Sequence, residues 1–311
     1  MTTVTKIQAS THVVPEATLA LCRQLGLAVP PSATSLSFEL HNTNTAIANG
    51  LRRCIDNEVP VQVMSFNDVD LKTNDPYIIA YELQSRLNQI PIKQGITEAL
   101  KLNVYNNTDV PIPIYSSNIG GPELMSGNFI VTYLRPNTSI IIDKINITTG
   151  IGYLNSAVYT FPGHTEFHCL DMDEKKSSML QHPNAYRLVV AHQSFIDPRD
   201  IVLLALTVLI DKLTMLESVV RNPVDDLSYI EITELPGGID LKIFNETYTI
   251  GNIISYYCYK VDPTISNVNC RKAHPTHNYI TVEVYHSTPK QILVQSIEMA
   301  KNELIVIKGK F

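Results

Sequence analysis

The sequence predicts an α+β fold: two antiparallel sheets backed by helices, with a β-rich module inserted into the first half. Three observations carry this expectation. Alternating apolar–polar runs are followed by segments whose apolar residues recur every three to four positions, the periods of strand and helix. The order strand, helix, strand, long helix occurs twice, on either side of "RNPVDD" at Arg221 to Asp226, which reads as a linker. Within the first copy, from Lys93 to about Asn184, strand-like runs such as "LKLNVYN", "NFIVTYL" and "SIIIDKINIT" are broken by Pro, Gly and Asn clusters.

Residues 1–34 read as an N-terminal extension with one short helix at Pro15 to Leu25. "SLSFELHN" (Ser35 to Asn42) alternates and predicts a strand. A helix follows over 44–57, with Ile47, Leu51 and Ile55 on one face. Glu58 and Pro60 end it, because the residue before a proline avoids helical geometry. Arg53 lies about 200° round from Leu51, on the side away from the apolar stripe. "VPVQVMSFNDVDL" is extended chain; a second helix opens at Asp75-Pro76, a cap and a first-turn proline, with Ile79, Leu83 and Leu87 on one face.

After the β-rich stretch, "AYRLVVAHQSF" predicts a strand and Asp197-Pro198 a helix start. That helix, 198–220, carries the seam Val202, Leu206, Leu209, Leu213, Leu216 and Val220. A second stripe of Ile201, Leu204, Ala205 and Val208 covers its first half, so the helix should be sandwiched between two apolar surfaces. The second copy is smaller. "YIEITEL" and "IDLKIFN" flank a Pro236-Gly237-Gly238 turn, and a helix runs from Thr249 with Ile250, Ile254, Tyr257 and Val261 on one face. Strand "NYITVEVYHS" leads to a last helix with Leu293, Ile297, Ala300, Leu304 and Ile307 in register. The helices near 44–57, 198–220, 249–261 and 289–307 are expected to share one core.

Composition excludes several classes of function. Of 311 residues, 44% are hydrophobic and 17% charged, enough for a sizeable core and unlike a disordered chain. The net charge of −6 gives no basic excess for phosphates, so autonomous nucleic-acid binding is not expected. Five cysteines without C-x-x-C spacing read as reduced thiols of an intracellular protein. The longest apolar run, Ile201 to Ile210, is too short for a bilayer, so no membrane partner is expected. No Gly-x-Ser-x-Gly, His-Glu-x-x-His or P-loop occurs, and Gly150-x-Gly152 lacks the third glycine of a nucleotide cradle; no residue is a candidate catalyst.

"NTAIANGLRRCIDNEVP" followed by "DPYIIAYELQSRLNQIPI" resembles the signature of the α-like subunits of multisubunit RNA polymerases. Asn49, Leu51, Arg52, Arg53, Glu58, Val59 and Pro60 match its first helix, and Arg86, Leu87, Ile90 and Pro91 its second. "VPIPIYSSNI" and "GIGYLNSAVYTF" are similar to segments of the family's insert, and "VVAHQSFIDPRDIVLLALTVLIDKL" to its closing helix. "NETYTIGNIISYYCYK" and "RKAHPTHNYITVEVY" resemble the helix and loop of the smaller partner subunit, with Thr247, Tyr248 and Ile250 in place of the usual Asp, His and Leu.

The resemblance implies a division of the chain. Residues 35–92 plus 185–222 would form the larger α-like dimerisation half, 93–184 the insert, and 223–311 the smaller half, an intramolecular version of a heterodimer. Fusion of the third-largest and eleventh eukaryotic polymerase II types in one chain implies a large DNA virus of eukaryotes. The role implied is an assembly platform for the two large catalytic subunits, with a small tenth- or twelfth-type subunit as a further partner and no homodimer. Arg52, Arg53, Glu58 and Arg86 would contact the large subunits. Leu51, Ile55, Leu206, Leu209, Leu213, Leu216, Ile250, Ile254, Tyr257, Leu293, Ile297 and Leu304 would form the inter-half interface. No cofactor is expected on this chain; the magnesium of RNA synthesis would sit on the large subunits.

Two rival readings remain open at this level. His164, His168, Cys169 and Asp171 are the donors from which a metal-dependent nucleotide-handling enzyme would be built, although a fourth firm ligand is missing and "FPGHTEFHCLDMDE" shows no strand or helix pattern to hold them. Asp171-x-Asp173 with Glu174 reads as an exposed acidic loop. The other rival is a scaffold no longer tied to a polymerase.

Overall fold

The computed structural model describes residues 2–24, 32–120, 124–125, 128–159, 163–173, 182–192, 196–222 and 229–311, and is α+β. In the first sheet, β1 (Thr3–Val13) pairs with β2 (Ser32–His41), β2 with β10 (Ala185–His192), and β10 with β9 (Gly163–Cys169). In the second, β11 (Ile230–Leu235) pairs with β12 (Gly238–Phe244), β12 with β14 (Tyr279–Tyr285), and β14 with β13 (Asn267–Arg271). Every pair is antiparallel, and the orders β1-β2-β10-β9 and β11-β12-β14-β13 are the same plan.

Two of these strands were invisible to periodicity. Residues 1–34, read as an extension, contribute edge strand β1 and helix α1 (Glu16–Gln24). β1 is exposed along nearly its whole length and carries a register shift between Thr5 and Gln8, where Lys6 has a positive φ of 51°. Backbone pairing to β2 defines it, so no apolar alternation marks it. β9 does alternate, but its inward residues are Thr165, Phe167 and Cys169, too polar a set to stand out.

The second hairpin turns on Pro236 and Gly237. Gly237 has φ +78°, the conformation a type II turn requires after a proline.

Helices α2 (Thr45–Asn57) and α4 (Pro198–Arg221) back the first sheet; α5 (Tyr248–Val261) and α6 (Pro289–Lys308) back the second. Their starts follow from capping chemistry. Asn44 accepts from the Ile47 amide, Asp197 from that of Arg199 and Thr247 from that of Thr249. Prolines occupy the first turns of α4 and α6. α2 packs on α4 and α5, and α6 on α4 and α5, so the four helices and both sheets enclose one apolar core. A Cβ on Gly50 would stand 3.1 Å from Ile253, which shows how closely α2 and α5 approach. On the second stripe of α4, Ile201 and Ala205 are fully buried, whereas Leu204 is 42% exposed, so the sandwiching is incomplete.

A second, separate core gathers residues between Met64 and Ile145. β8 (Ser139–Gly150) pairs with β3 (Val61–Ser65), β4 (Leu71–Thr73) and β5 (Leu100–Tyr105), while β6 (Ile112–Tyr115) pairs with β7 (Ile130–Leu134). This core draws on Met64, Phe66, Leu83 and Leu87, upstream of residue 93. β3 joins the two cores by strand alternation: Val61 and Val63 face the main core and Met64 the other.

The helix expected from Asp75 starts later, as α3 (Ala80–Asn88). Asp75 is buried and accepts hydrogen bonds from the amides of Tyr77 and Arg135 and from the Arg135 guanidinium. It stitches its own turn to the turn between β7 and β8 and does not cap the helix. Ile79, at the helix entrance in extended conformation, is 53% exposed, while Leu83 and Leu87 are buried as expected.

Candidate functional site

α2 buries Ile47, Ala48, Gly50, Leu51, Cys54 and Ile55, leaving a polar strip of Asn49, Arg52, Arg53 and Asp56. The two arginines are not equivalent. Arg52 donates to Asn49 Oδ1 at 3.0 Å and to Asp56 Oδ2 at 3.1 Å, one helical turn on. Burial raises the Asp56 carboxyl above its ordinary range, with Arg52 working against that shift. Arg53 is half-buried and makes no ion pair among the described residues. A guanidinium brought to a surface without a carboxylate is the group of this strip best placed to take one from outside.

Glu58 lies elsewhere. It is 5% exposed at the C-cap of α2 and accepts from Lys212 Nζ at 2.8 Å. Lys212 also pairs with Glu246. The expected surface contact is therefore an internal ion triad that links α2, α4 and the turn before α5. The sequence placed Glu58 correctly at the helix end, but α4 covers that end. Arg86 is exposed on α3 and donates to the Val131 carbonyl at 3.0 Å, away from the α2 strip.

Leu51, Ile55, Leu206, Leu209, Leu213, Leu216, Ile250, Ile254, Tyr257, Leu293, Ile297 and Leu304 all lie buried in the one four-helix core. Polar groups join the same helices near the start of α2. Asn44 donates to the Tyr257 hydroxyl at 3.3 Å, Tyr257 donates to Glu303 at 2.5 Å, and Thr43 donates to Glu303 at 2.6 Å. Burial and the neighbouring Glu303 carboxylate raise the Tyr257 phenol, so it remains a donor.

Strand geometry separates the donors of the metal reading. His164, Glu166 and His168 project from the exposed side of β9, each histidine Nε2 lying 3.1–3.2 Å from a Glu166 oxygen. Those histidines hold the Glu166 carboxyl below its ordinary range. Cys169 alternates to the other side and packs against the main core. Asp171 accepts from the amides of Asn184 and Ala185. Among the described residues no group of three His, Cys, Asp or Glu is arranged to hold a metal ion; Glu174 lies outside them. The two histidines share a face, but Cys169 and Asp171 do not join them.

Two features were missed, one on the surface and one buried. Tyr77, Ile79 and Tyr81 form an exposed apolar run at the entrance to α3, with the Arg135 guanidinium 3.9 Å from the Tyr77 ring centroid. Hydrophobic tyrosines in a helical pattern look like core, which hid this run. On the first sheet, buried Glu39 accepts from Arg187 at 2.7 Å, with Lys6 and His41 also in contact. Hydrogen bonding from Arg187, against the effect of burial, holds its carboxyl down at about 2.

The sign of that shift sets a pH test. A depressed carboxyl contributes stability that is present above its unfolded value of 4.5 and is lost as pH falls towards 2. The gap in melting temperature between the natural chain and Glu39→Gln should be widest near neutrality and close by about pH 2. Melting curves from pH 7 to 2 check this; a gap constant with pH would contradict it.

No helix among the described residues is long and apolar enough to cross a membrane.

No protein-family model matches the chain. It is similar to proteins named DNA-directed RNA polymerase RPB3-11 homolog in African swine fever virus. Identity is 26% over 279 residues, covering 79% of this chain and 77% of the relative, for isolates from a South African tick and a Namibian warthog. For an isolate from a Kenyan pig it is 25% over the same span. The resemblance read from the helix motifs is thereby borne out, as a likeness to viral proteins whose name joins two polymerase subunit designations.

Proposed function

We propose that this chain is a non-catalytic subunit of a viral DNA-directed RNA polymerase, a platform on which the two large catalytic subunits assemble inside the infected cell. Its two α-like halves would be closed on each other in one chain, so that no second copy is needed. The single observation that supports this reading best is the continuous core shared by α2, α4, α5 and α6, beside an α2 strip whose Arg53 meets no carboxylate among the described residues. The exposed run at Tyr77, Ile79 and Tyr81 supplies a second surface, suited to the small tenth- or twelfth-type subunit. Template-directed synthesis, with its magnesium, belongs to the large subunits.

Co-purification of the two large subunits with the tagged chain from infected cells tests the reading. A chain that captures neither returns the scaffold alternative. The isolated chain should sediment as a monomer, because tethering makes pairing of the halves intramolecular; a stable symmetric homodimer would contradict the platform model.

Arg53→Ala should leave the melting temperature of the isolated chain nearly unchanged, since exposed or half-exposed charges contribute little to stability. It should weaken capture of the second-largest subunit by about 2 kcal/mol if Arg53 is an interface hot spot. Binding and melting measured on the same variant separate the outcomes: unchanged binding makes Arg53 an ordinary solvated residue.

A further inference from the structure

The two ends of the four-helix core carry opposite charges at equivalent positions. Lys212 and Glu303 each stand fourteen residues after the proline that opens their helix, Pro198 in α4 and Pro289 in α6. Each reaches across to the residue that precedes the N-cap of the other half's first helix. Lys212 meets Glu246, before Thr247 of α5; Glu303 meets Thr43, before Asn44 of α2. Each also has a partner at the far end of its own half's first helix. Lys212 pairs with Glu58 at 2.8 Å, and Glu303 accepts from Tyr257 at 2.5 Å with Lys260 at 3.8 Å. All four cross-half groups are largely shielded, Glu246 and Glu303 to 11% and 10% exposure.

Two halves built on one plan have more than one way to pair. If the second half met another second half in the same geometry, Glu303 would face Glu246 in place of the Thr43 hydroxyl. Like carboxylates would then abut where little water screens them, a contact that opposes association. If the first half met another first half, Lys212 would face Thr43 and lose the Glu246 carboxylate. The mixed pairing alone keeps Glu303 away from Glu246 and gives Lys212 a second carboxylate beside Glu58.

We propose that Lys212 with Glu246, and Glu303 with Thr43, are the selectors that make the two halves pair with each other and reject their own kind. The shared apolar seam supplies adhesion without discrimination, since leucine and isoleucine stripes fit several partners of the same period. The charged ends supply the discrimination. This inference concerns the chain's internal pairing and does not depend on the polymerase reading.

Two comparisons on the full chain test it. Thr43→Glu presents to Glu303 what a second copy of the second half would present, whereas Thr43→Gln has the same bulk without the charge. Thr43→Glu should melt about 5 °C or more below Thr43→Gln at neutral pH. Lys212→Glu should lower the melting temperature strongly, and Lys212→Glu combined with Glu246→Lys should recover more than half of that loss as a folded monomer. If Lys212→Glu alone yields no folded chain, recovery of a folded monomer in the combined variant is the supporting result and its failure the overturning one. Equal melting of the two Thr43 variants, or recovery of less than half of the loss, overturns the proposal.

Discussion

Leu209→Asp should leave little or no folded chain at physiological temperature. Leu209 is fully buried midway along α4, in the core that α2, α5, α6 and both sheets share. The substitution removes a leucine's buried area, about 2 kcal/mol or more, and places a carboxylate among apolar side chains. An unpaired buried charge costs several kcal/mol further, which together approaches the total stability of an ordinary domain. The nearest cation along the helix, Lys212, already serves Glu58 and Glu246. Because both sheets pack on the same core, the damage should spread beyond α4. Leu209→Met, which nearly conserves volume, should cost less than about 1.5 kcal/mol. Thermal melting and limited proteolysis of both variants check the pair; an aspartate variant that melts like the natural chain would show that α4 is not packed as described.

Lys212→Met should be nearly as damaging, for a different reason. Burial pulls the Lys212 ammonium down, and the carboxylates of Glu246 and Glu58 more than reverse this, holding it above its ordinary range. The raised value means that its contribution is fully present below the ordinary lysine value of 10.5 and is lost only as pH rises through the folded one. Removing the lysine leaves two shielded carboxylates facing each other. Truncating one partner of a buried ion pair typically costs about 3–5 kcal/mol. Burial already raises the Glu246 carboxyl, with Lys212 opposing that shift, so its protonation should be easier still in the variant. The deficit of Lys212→Met should therefore be larger at pH 7 than at pH 4, where the raised Glu246 carboxyl is being neutralised. Paired denaturant titrations at the two pH values measure it, and a deficit that grows on acidification would refute the triad.

These expectations separate what is written locally from what is not. α4 was legible almost to the residue because its signals are local: an Asp-Pro start and an apolar seam over about five turns. The same holds for α2, whose Ile47–Leu51–Ile55 stripe appears as read, with Asn44 supplying the cap at its start. α3 was misplaced because Asp75 had two uses. An aspartate before a proline caps helices well, but this one is taken by Arg135 and Thr138, sixty or more residues away. Ile79 followed it into the wrong environment.

By itself the sequence determined the α+β class, the doubled strand–helix order and the apolar seams, because periodicity and capping are properties of a few neighbouring residues. It also determined which helix carries the paired arginines. Only the tertiary structure decided that β1 and β9 complete the first sheet, since edge strands are held by backbone bonds to distant chain and need no pattern of their own. Only the tertiary structure separated Arg53 from Arg52 and turned Glu58 inward. Glu58 meets Lys212 across 154 residues of sequence, and Lys212 meets Glu246 at the entrance to a different helix. Which carboxylate a lysine finds depends on where whole helices lie, and that is settled by burial of the seams and not by the charges themselves.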